Sequence, residues 1–273
     1  MDNFKTQYIE LFKKVLMGIL YEQSNWQQIH SQPVKNFFSL QFFKNLMIKI
    51  FQRKSIILYK KQKFDSDRAL IKGKEGAGLG YTLVSKKRLD NIEHCFDEIL
   101  KGNIEGDFIE TGVWRGGACI LIRELMRINN IKNRKVFVAD SFEGMPKPKN
   151  EFDGSDLSMF EEIKVSVEEV KSNFDKFGLN DNQVVYIKGW FSESLPKAPI
   201  NKLALLRLDG DLYHSTMDSL NNLYHKVSKG GYVIVDDMDW PECARAINEF
   251  RDKHSIKSEL KFIDDVSAYW RVN

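Results

Sequence analysis

Five aspartates lie in two short groups in the sequence. Each group comes at or just after the end of an apolar run typical of a buried strand. They are Asp209 and Asp211 in RLDGDLYHST, and Asp236, Asp237 and Asp239 in VIVDDMDWP. Clustered carboxylates repel one another, and at least one is expected to stay protonated unless a cation lies among them. Mg²⁺ relieves that repulsion, because it prefers octahedral oxygen ligands and leaves positions open for water or substrate. The pattern predicts a divalent metal site, with the alternative that some of the acids cap the following helices, as Asp239 is placed to do.

A glycine-containing turn, ETGVWRGG at 110–117, follows the first predicted strand and leads into a helix. A dinucleotide fingerprint needs a second glycine so that the backbone can approach a pyrophosphate, and Trp114 stands at that place. S-adenosylmethionine has no phosphate, and its amino-acid tail could meet free N–H groups at the start of the helix. The alternative is that Gly112, Gly116 and Gly117 only make a tight corner.

The second predicted strand ends in Asp140, which is followed by SFEG. An acid at this place accepts hydrogen bonds from both ribose hydroxyls, which suits NAD and S-adenosylmethionine alike. Asp140 therefore indicates a nucleoside, unless it only caps the following turn. The five histidines make no ligand pair or catalytic triad by their order. His214, close to Asp211, is the one worth testing, with a surface or packing role as the favoured alternative.

The elements that must position these residues alternate between short β-branched runs and helical stretches. Strands are predicted at 107–110, 135–140, 183–189, 203–209 and 232–237. Helices are predicted at about 116–130, 160–177, 215–228 and 242–254. This alternation predicts a doubly wound, Rossmann-like α/β core with a parallel sheet. In such a sheet, ligands bind outside the carboxyl ends of the strands, where the acids and glycines described above are located.

The N-terminal part has a different character. Apolar residues at helical spacing predict an amphipathic helix over 5–21, and residues 23–64 then contain no Asp or Glu but many Lys and Arg. This basic stretch predicts a dimer contact or a helical cap over the core, or else a peripheral membrane contact through residues 34–63. Residues 65–80 are polar and glycine-rich, which predicts a connector and a domain boundary near residue 80. We therefore expect a helical N-terminal region at 1–80 and a catalytic domain at 81–273.

Composition excludes several classes of protein. With 273 residues and 42% hydrophobic content, the chain can bury a sizeable core. A net charge of +3 gives no argument for a nucleic-acid partner. Three widely spaced cysteines without a Cys-x-x-Cys pair are typical of a reducing compartment. Neither a signal peptide nor an apolar run long enough to span a membrane is visible, so we expect a cytoplasmic protein.

Taken together and in this order, ETGVWRGG, ADSFEGMP, GWFSESLP, RLDGDLYHST and VIVDDMDWP closely resemble the macrocin O-methyltransferase family. These enzymes are metal-dependent sugar O-methyltransferases. YIELFKKVLMGILYE, YTLVSKKRLDNI and the C-terminal FRDKHSI to VSAYWR are also similar to the family. The resemblance covers nearly the whole chain except roughly residues 30–70, which look like an insertion.

The resemblance implies a Rossmann-like S-adenosylmethionine-dependent methyltransferase fold with an α-helical N-terminal extension. It implies S-adenosyl-L-methionine and Mg²⁺ as cofactors, Asp209, Asp236 and Asp237 as metal ligands, and Asp211 as the general base. The implied cofactor-binding residues are Thr82, Glu110, Thr111, Gly112, Asp140, Ser141, Gly189, Trp190, Phe191 and Asp209.

The predicted function is Mg²⁺-assisted methylation of a sugar hydroxyl in a glycoside, nucleotide sugar or glycan precursor. The partner is then a small molecule and not a nucleic acid, and we expect a homo-oligomer, with a dimer favoured. Three alternatives stay open at this stage: a catechol-type O-methyltransferase acting on an aromatic diol, an NAD-dependent sugar-modifying oxidoreductase, and a non-catalytic scaffold whose basic region binds a membrane or a partner.

Overall fold

The fold is seen in a computed structural model that describes residues 3–20, 26–29, 39–61, 80–154 and 156–273. Its strands are β1 (Trp26–Gln28), β2 (Tyr59–Lys61), β3 (Asp107–Thr111), β4 (Val136–Asp140), β5 (Val184–Lys188), β6 (Leu203–Leu208), β7 (Val227–Val235), β8 (Lys261–Phe262) and β9 (Ala268–Arg271). Its α-helices are α1 (Asn3–Leu16), α2 (Leu40–Arg53), α3 (Lys86–Lys101), α4 (Gly117–Ile128), α5 (Val167–Lys176), α6 (Phe191–Ser194), α7 (Tyr213–Leu223) and α8 (Pro241–Lys253).

Seven strands form one mixed sheet in the order β5-β4-β3-β6-β7-β9-β8. Strands β3 to β7 pair with one another in parallel, as the sequence predicts. The chain builds β3, β4 and β5 outward on one side and then returns to place β6 and β7 on the other side of β3. The carboxyl ends of β3 and β6 therefore flank the point where strand order reverses, which is the expected ligand crevice of such a sheet.

The last two strands correct the expectation of a purely parallel sheet, because β9 runs antiparallel to both β7 and β8. Strand β8 has two residues, both exposed, so it carries neither the apolar run nor the length that identifies a strand in sequence. The central strands carry that pattern clearly, and every residue of β6 is buried.

Most helices start close to the predicted positions, but α1 ends at Leu16 and α7 at Leu223, each five residues before its predicted end. The helix predicted at 160–177 begins only at Val167, after a 3₁₀ turn at Glu161–Ile163. Ser166 caps it by accepting a hydrogen bond from the backbone N–H of Glu169 at 3.1 Å, which is why the helix starts there. The sequence analysis did not delimit α3, whose N-cap is Ser85.

Helix α1 packs on the α/β core of the chain. Ile9 and Leu16 belong to the same hydrophobic cluster as residues of β3 and α4. Lys13 is 1% exposed and pairs with Asp90 at 2.5 Å and with Glu93, both on α3. Such burial of a lysine requires ionic partners, so α1 is docked by charge as well as by apolar contact. The predicted connector lies almost entirely outside the described residues, and the domain boundary near residue 80 stays a prediction.

Helix α2 exposes much of its apolar surface. The exposed side chains, from 42% to 74% accessible, are Leu40, Phe43, Leu46, Met47 and Ile50. Residues 39–61 also carry six Lys and Arg and no acid. The dimer contact, the cap and the membrane contact predicted for this stretch all stay predictions. Within the described residues, no helix combines the length and the apolar character that crossing a bilayer requires.

Candidate active site

Three of the predicted metal ligands meet at the carboxyl edge of the sheet. Strands β6 and β7 pair in register up to Leu208 and Val235, so the residues that follow them emerge side by side. Asp209, Asp236 and Asp237 each offer a carboxylate oxygen, and these oxygens lie within 4.8 Å of one another. Asp236 and Asp237 are buried, at 5% and 7% exposure. The sequence pattern thus led to a cluster with the size and donor type of a divalent cation site.

Two buried arginines hold these acids in place. Arg207, with no exposed surface, pairs with Glu110 and Asp236 and with Asp209 at 2.6 Å. Arg88 on α3 donates to the second carboxylate oxygen of Asp236 at 2.5 Å. Sequence reasoning missed both residues. A lone arginine inside the apolar run LALLRLD was a usable signal for Arg207, whereas nothing local marked Arg88.

The charges at this edge do not balance without a cation. If all five acids (Glu110, Asp209, Asp211, Asp236 and Asp237) are ionised, they face two arginines, which leaves three negative charges uncompensated. Burial and the charge of Asp236 raise the pKa of Asp209 to about 6. Burial and the charge of Asp211 raise the pKa of Asp237 well above its ordinary value. A divalent cation would remove most of the excess charge, so the residues present fit Mg²⁺.

Asp211 is held in a strained backbone conformation between the two strand ends. Its φ is +53°, in the left-handed region that non-glycine residues rarely adopt. Its backbone N–H donates to a carboxylate oxygen of Asp237 at 3.3 Å. Burial, followed by the negative charges of Asp209 and Asp236, raises the pKa of Asp211 to about 7. Strain of this kind persists where the surroundings enforce it, and it is concentrated at functional sites.

A cavity of about 370 Å³ opens beside the carboxylates. Six of the predicted cofactor residues line it: Gly112, Asp140, Ser141, Trp190, Phe191 and Asp209. Its volume falls in the range of small-ligand sites, roughly 300–1,000 Å³. Because Asp209 belongs to both features, the cavity and the metal cluster are continuous with each other.

Asp140 serves the turn and the cavity at once. One carboxylate oxygen accepts from the backbone N–H of Val113, and the other from that of Phe142, both at 2.8 Å. Asp140 therefore caps the turn that follows it, which was the alternative given for this residue in the sequence analysis. Burial raises the pKa of Asp140. Each carboxylate oxygen has a second lone pair, so the residue can still receive ribose hydroxyls from the cavity it lines.

The amides of the glycine turn are already bonded to the backbone. Gly112 donates to Ala139 and Gly116 to Val113, and Gly117, the first residue of α4, donates to Tyr81. The expectation that N–H groups at the start of the helix meet a carboxylate stays a prediction. A β-carbon on Gly117 would lie 2.4 Å from the carbonyl oxygen of Tyr81 and 2.6 Å from Cβ of Thr82. Residues 81–82 therefore cross directly over this turn, and that crossing places Thr82 at the cofactor end of the sheet.

The four remaining predicted cofactor residues lie within the described part of the chain but do not line the cavity. They are Thr82, Glu110, Thr111 and Gly189. Glu110 is 2% exposed and faces Arg207, and burial raises its pKa to about 7. The carbonyl of Thr111 accepts from the backbone N–H of Asp209 at 2.9 Å. Gly189 donates to the carbonyl of Asp140 at 3.0 Å. Their roles at the cofactor stay predictions. Conversely, the cavity is lined by residues that the sequence analysis did not select, among them Lys149, Asp153 and Asp218.

Comparison with known proteins agrees with this geometry. The macrocin-O-methyltransferase (TylF) family matches residues 5–272. Demethyldecarbamoylnovobiocin O-methyltransferase of Streptomyces niveus is 47% identical over 205 residues, which are 73% of this chain and 78% of that protein. The 8-demethyl-8-(2,3-dimethoxy-alpha-L-rhamnosyl)-tetracenomycin-C 4'-O-methyltransferase of Streptomyces olivaceus is 36% identical over an alignment of 275 residues, with 99% and 94% of the two chains covered. The solved structure of the O-methyltransferase NovP superposes with a TM-score of 0.79 at 38% identity and covers 98% of this chain and 99% of that chain.

Proposed function

Since the chain belongs to the macrocin-O-methyltransferase family, we propose that it methylates a sugar hydroxyl with S-adenosylmethionine and Mg²⁺. The observation that carries the proposal is the cluster of Asp209, Asp236 and Asp237 oxygens within 4.8 Å, joined to a ligand-sized cavity through Asp209. One relative, aligned with this chain over 94% of its length, is named for methylating position 4' of a rhamnosyl compound. A glycoside, nucleotide sugar or glycan precursor is the corresponding acceptor for this chain.

The chemistry needs a weakly acidic alcohol to lose its proton as it is alkylated. When bound, S-adenosylmethionine supplies a methyl group on a sulfonium centre, and Mg²⁺ supplies a Lewis acid that acidifies a hydroxyl. Asp209, Asp236 and Asp237 would hold the ion. Asp211 accepts the hydroxyl proton, and its burial, which raises the pKa of its carboxyl, suits a general base.

The remaining residues supply binding and orientation. Asp140 and Gly112 form the end of the cavity nearest to strands β3 and β4, where a nucleoside would be held. Trp190 and Phe191 line the same cavity and give it apolar surface. Arg88 and Arg207 hold the carboxylate of Asp236 in position before an ion arrives. Such prior positioning lowers the cost of reaching the reactive arrangement.

The other functions are now less well supported. Membership of an O-methyltransferase family decides against an NAD-dependent oxidoreductase and against a scaffold without activity. A catechol-type enzyme uses the same cofactor and metal chemistry, so its acceptor is the only difference. The rhamnosyl acceptor in the name of a relative favours the sugar.

Calorimetry and an acceptor screen test the proposal. We expect S-adenosylhomocysteine to bind, and Mg²⁺ to be required for methyl transfer to at least one member of a panel of nucleotide sugars and glycosides. A set of catechols is screened alongside. Full activity after EDTA treatment, in buffers verified as metal-free, would refute the metal role. Turnover of catechols alone would refute the sugar acceptor.

The assembly and location of the protein stay predictions. We expect a dimer in the cytoplasm, with the basic stretch as a contact or a cap. Sedimentation velocity measures the oligomeric state. Liposome co-sedimentation, with and without residues 34–63, distinguishes the peripheral membrane contact from these alternatives.

A further inference from the structure

One wall of the cavity contains a hydrogen-bonded Asp–His pair that the proposed chemistry does not use. Asp153 ends a short 3₁₀ turn, Glu151–Asp153, and is 1% exposed. One of its carboxylate oxygens accepts from the backbone N–H of His214 at 3.0 Å and lies 2.8 Å from the ring Nδ1 of His214. The other accepts from the backbone N–H of Lys149 at 2.8 Å. Both Asp153 and His214 line the cavity.

These contacts determine which nitrogen of the ring carries its proton. Burial opposes ionisation of Asp153, but the hydrogen bonds from Lys149 and His214 outweigh it and hold the pKa of that carboxyl below its ordinary value. An ionised carboxylate can only accept, so Nδ1 must donate to it. In a neutral imidazole, Nε2 is then an acceptor. The ring is thus oriented by a buried acid, as ligand-binding histidines commonly are.

The position of the ring indicates what it faces. Helix α7 starts two residues after the predicted base, Asp211, and His214 is its second residue. The nucleoside residues Asp140 and Gly112 follow β4 and β3 instead. His214 therefore lies on the side of the cavity that carries the base and the metal acids, where an acceptor has to enter. Its side chain is 26% exposed, so the ring is within reach of a bound molecule.

We propose that His214 is an acceptor-binding residue, whose Nε2 accepts a hydrogen bond from a sugar hydroxyl other than the one methylated, and that Asp153 is the positioning residue for its ring. The proposal rests on the proposed function and names a residue that selects the acceptor. Neither residue is among the predicted metal ligands or the predicted cofactor-binding residues. The competing interpretation is that the pair only connects the loop after β4 to α7. Lys149 and Asp218 make a second such connection, with 3.4 Å between Nζ and a carboxylate oxygen.

Two substitutions of His214 separate these interpretations. The amide of His214→Asn can still donate to Asp153 near the place of Nδ1, but it leaves nothing at Nε2. The longer His214→Gln places an amide near Nε2 and gives up the bond to Asp153. For acceptor binding, we expect His214→Asn to raise the acceptor KM about tenfold, which is the loss of one hydrogen bond of about 1.4 kcal/mol, and His214→Gln to raise it less. If the pair is only a tether, His214→Gln, which loses the bond to Asp153, should lower the melting temperature more than His214→Asn, which keeps it.

Asp153→Ala tests the positioning role. It removes the oxygen that accepts the Nδ1 proton, so the ring proton is no longer held on Nδ1, which ¹⁵N NMR of the labelled histidine ring detects. We expect the acceptor KM to rise in this variant while the affinity for S-adenosylhomocysteine stays unchanged. An unchanged ring tautomer or an unchanged KM would overturn the role of Asp153.

The closing experiment begins with the wild-type enzyme and the glycoside panel. If no glycoside is methylated, the proposed function fails, and this inference fails with it. If one is methylated and its KM is the same in wild type and His214→Asn, only the inference is overturned. Monodeoxy analogues of that glycoside complete the test. The penalty of His214→Asn should vanish for the one analogue that lacks the hydroxyl bound by Nε2, and a penalty that persists for every analogue would overturn the inference.

Discussion

The carbonyl oxygen of Asp209 occupies the space that a side chain on Gly112 would need. A β-carbon built on Gly112 would lie 1.7 Å from that oxygen, and Gly112 has a φ of +88°. The backbone N–H of Asp209 donates to the carbonyl of Thr111 at 2.9 Å, so the carboxyl ends of strands β3 and β6 are held together. The glycine turn after β3 and the acidic cluster after β6 are therefore in direct backbone contact, which only a residue without a side chain permits.

Gly112→Ala should therefore be severely destabilising. The added methyl group must push strand ends apart, and we expect a loss of roughly 3 kcal/mol or more in the free energy of unfolding, measured by urea denaturation. Gly178→Ala is the matched control, because Gly178 also has a positive φ, +63°, but nothing lies within 4 Å of an added β-carbon. It should cost only about 1 kcal/mol. Equal losses in the two variants would contradict the steric argument.

Arg88→Gln should weaken both the fold and the metal site. The substitution leaves one oxygen of Asp236 without its guanidinium partner, and Asp264 loses its contact with Arg88 at 3.2 Å. Breaking buried pairs of this kind costs about 3 kcal/mol or more, and we expect weaker Mg²⁺ binding in calorimetry. Arg245→Gln breaks an exposed pair with Glu249 and should cost less than about 1 kcal/mol. Unchanged Mg²⁺ affinity in Arg88→Gln would show that Arg88 does not position Asp236.

Neutralising the acids should separate metal binding from proton transfer. We expect Asp209→Asn and Asp237→Asn to abolish turnover and Mg²⁺ binding while S-adenosylhomocysteine still binds at Asp140. Asp211→Asn should lower kcat by about 10² or more, since a general base contributes that much, with Mg²⁺ still bound. Unchanged turnover in Asp211→Asn would remove it as the base. Retained Mg²⁺ affinity in Asp237→Asn would remove that residue from the ligand set.

The metal-free protein should lose stability as pH rises towards neutrality. The pKa of Asp209 is raised to about 6 and that of Asp211 to about 7, so the folded protein keeps protons that the unfolded chain has already released. That stabilisation is complete below about pH 4 and is lost as pH rises through about 6 to 7, by about 1.4 kcal/mol per pH unit for each proton. Urea denaturation in EDTA should thus give a lower free energy of unfolding at pH 7.5 than at pH 5.5.

Mg²⁺ should reduce or reverse that difference, because it binds the ionised carboxylates and its stabilisation grows with pH. Asp211→Asn serves as the control, since it removes one of the titrating groups and should make the slope in EDTA shallower. A metal-free wild type whose stability rises between pH 5.5 and 7.5 would contradict the raised pKa values.

Local patterns were enough to predict the core of the fold and most of the site. The apolar runs before Asp209 and Asp236 identify buried strands, and the carboxyl ends of adjacent parallel strands must meet at one edge of the sheet. The clustering of these acids could therefore be predicted without coordinates. The same logic placed Gly112 and Asp140 at the cavity. Strand β8 was missed because two exposed residues are too few to show an alternation of apolar and polar side chains.

The sequence by itself determined the alternation of strands and helices, the acids at the strand ends and the family, because each of these is encoded in short runs of neighbouring residues. Only the tertiary structure decided that Arg88 meets Asp236, 148 residues away, and that Asp153 orients His214, 61 residues away. Partners so distant in the chain are chosen by how whole helices and loops pack, and no local spacing records that choice. The contact between Gly112 and Asp209 belongs to the same class, since the need for a glycine comes from the approach of another strand.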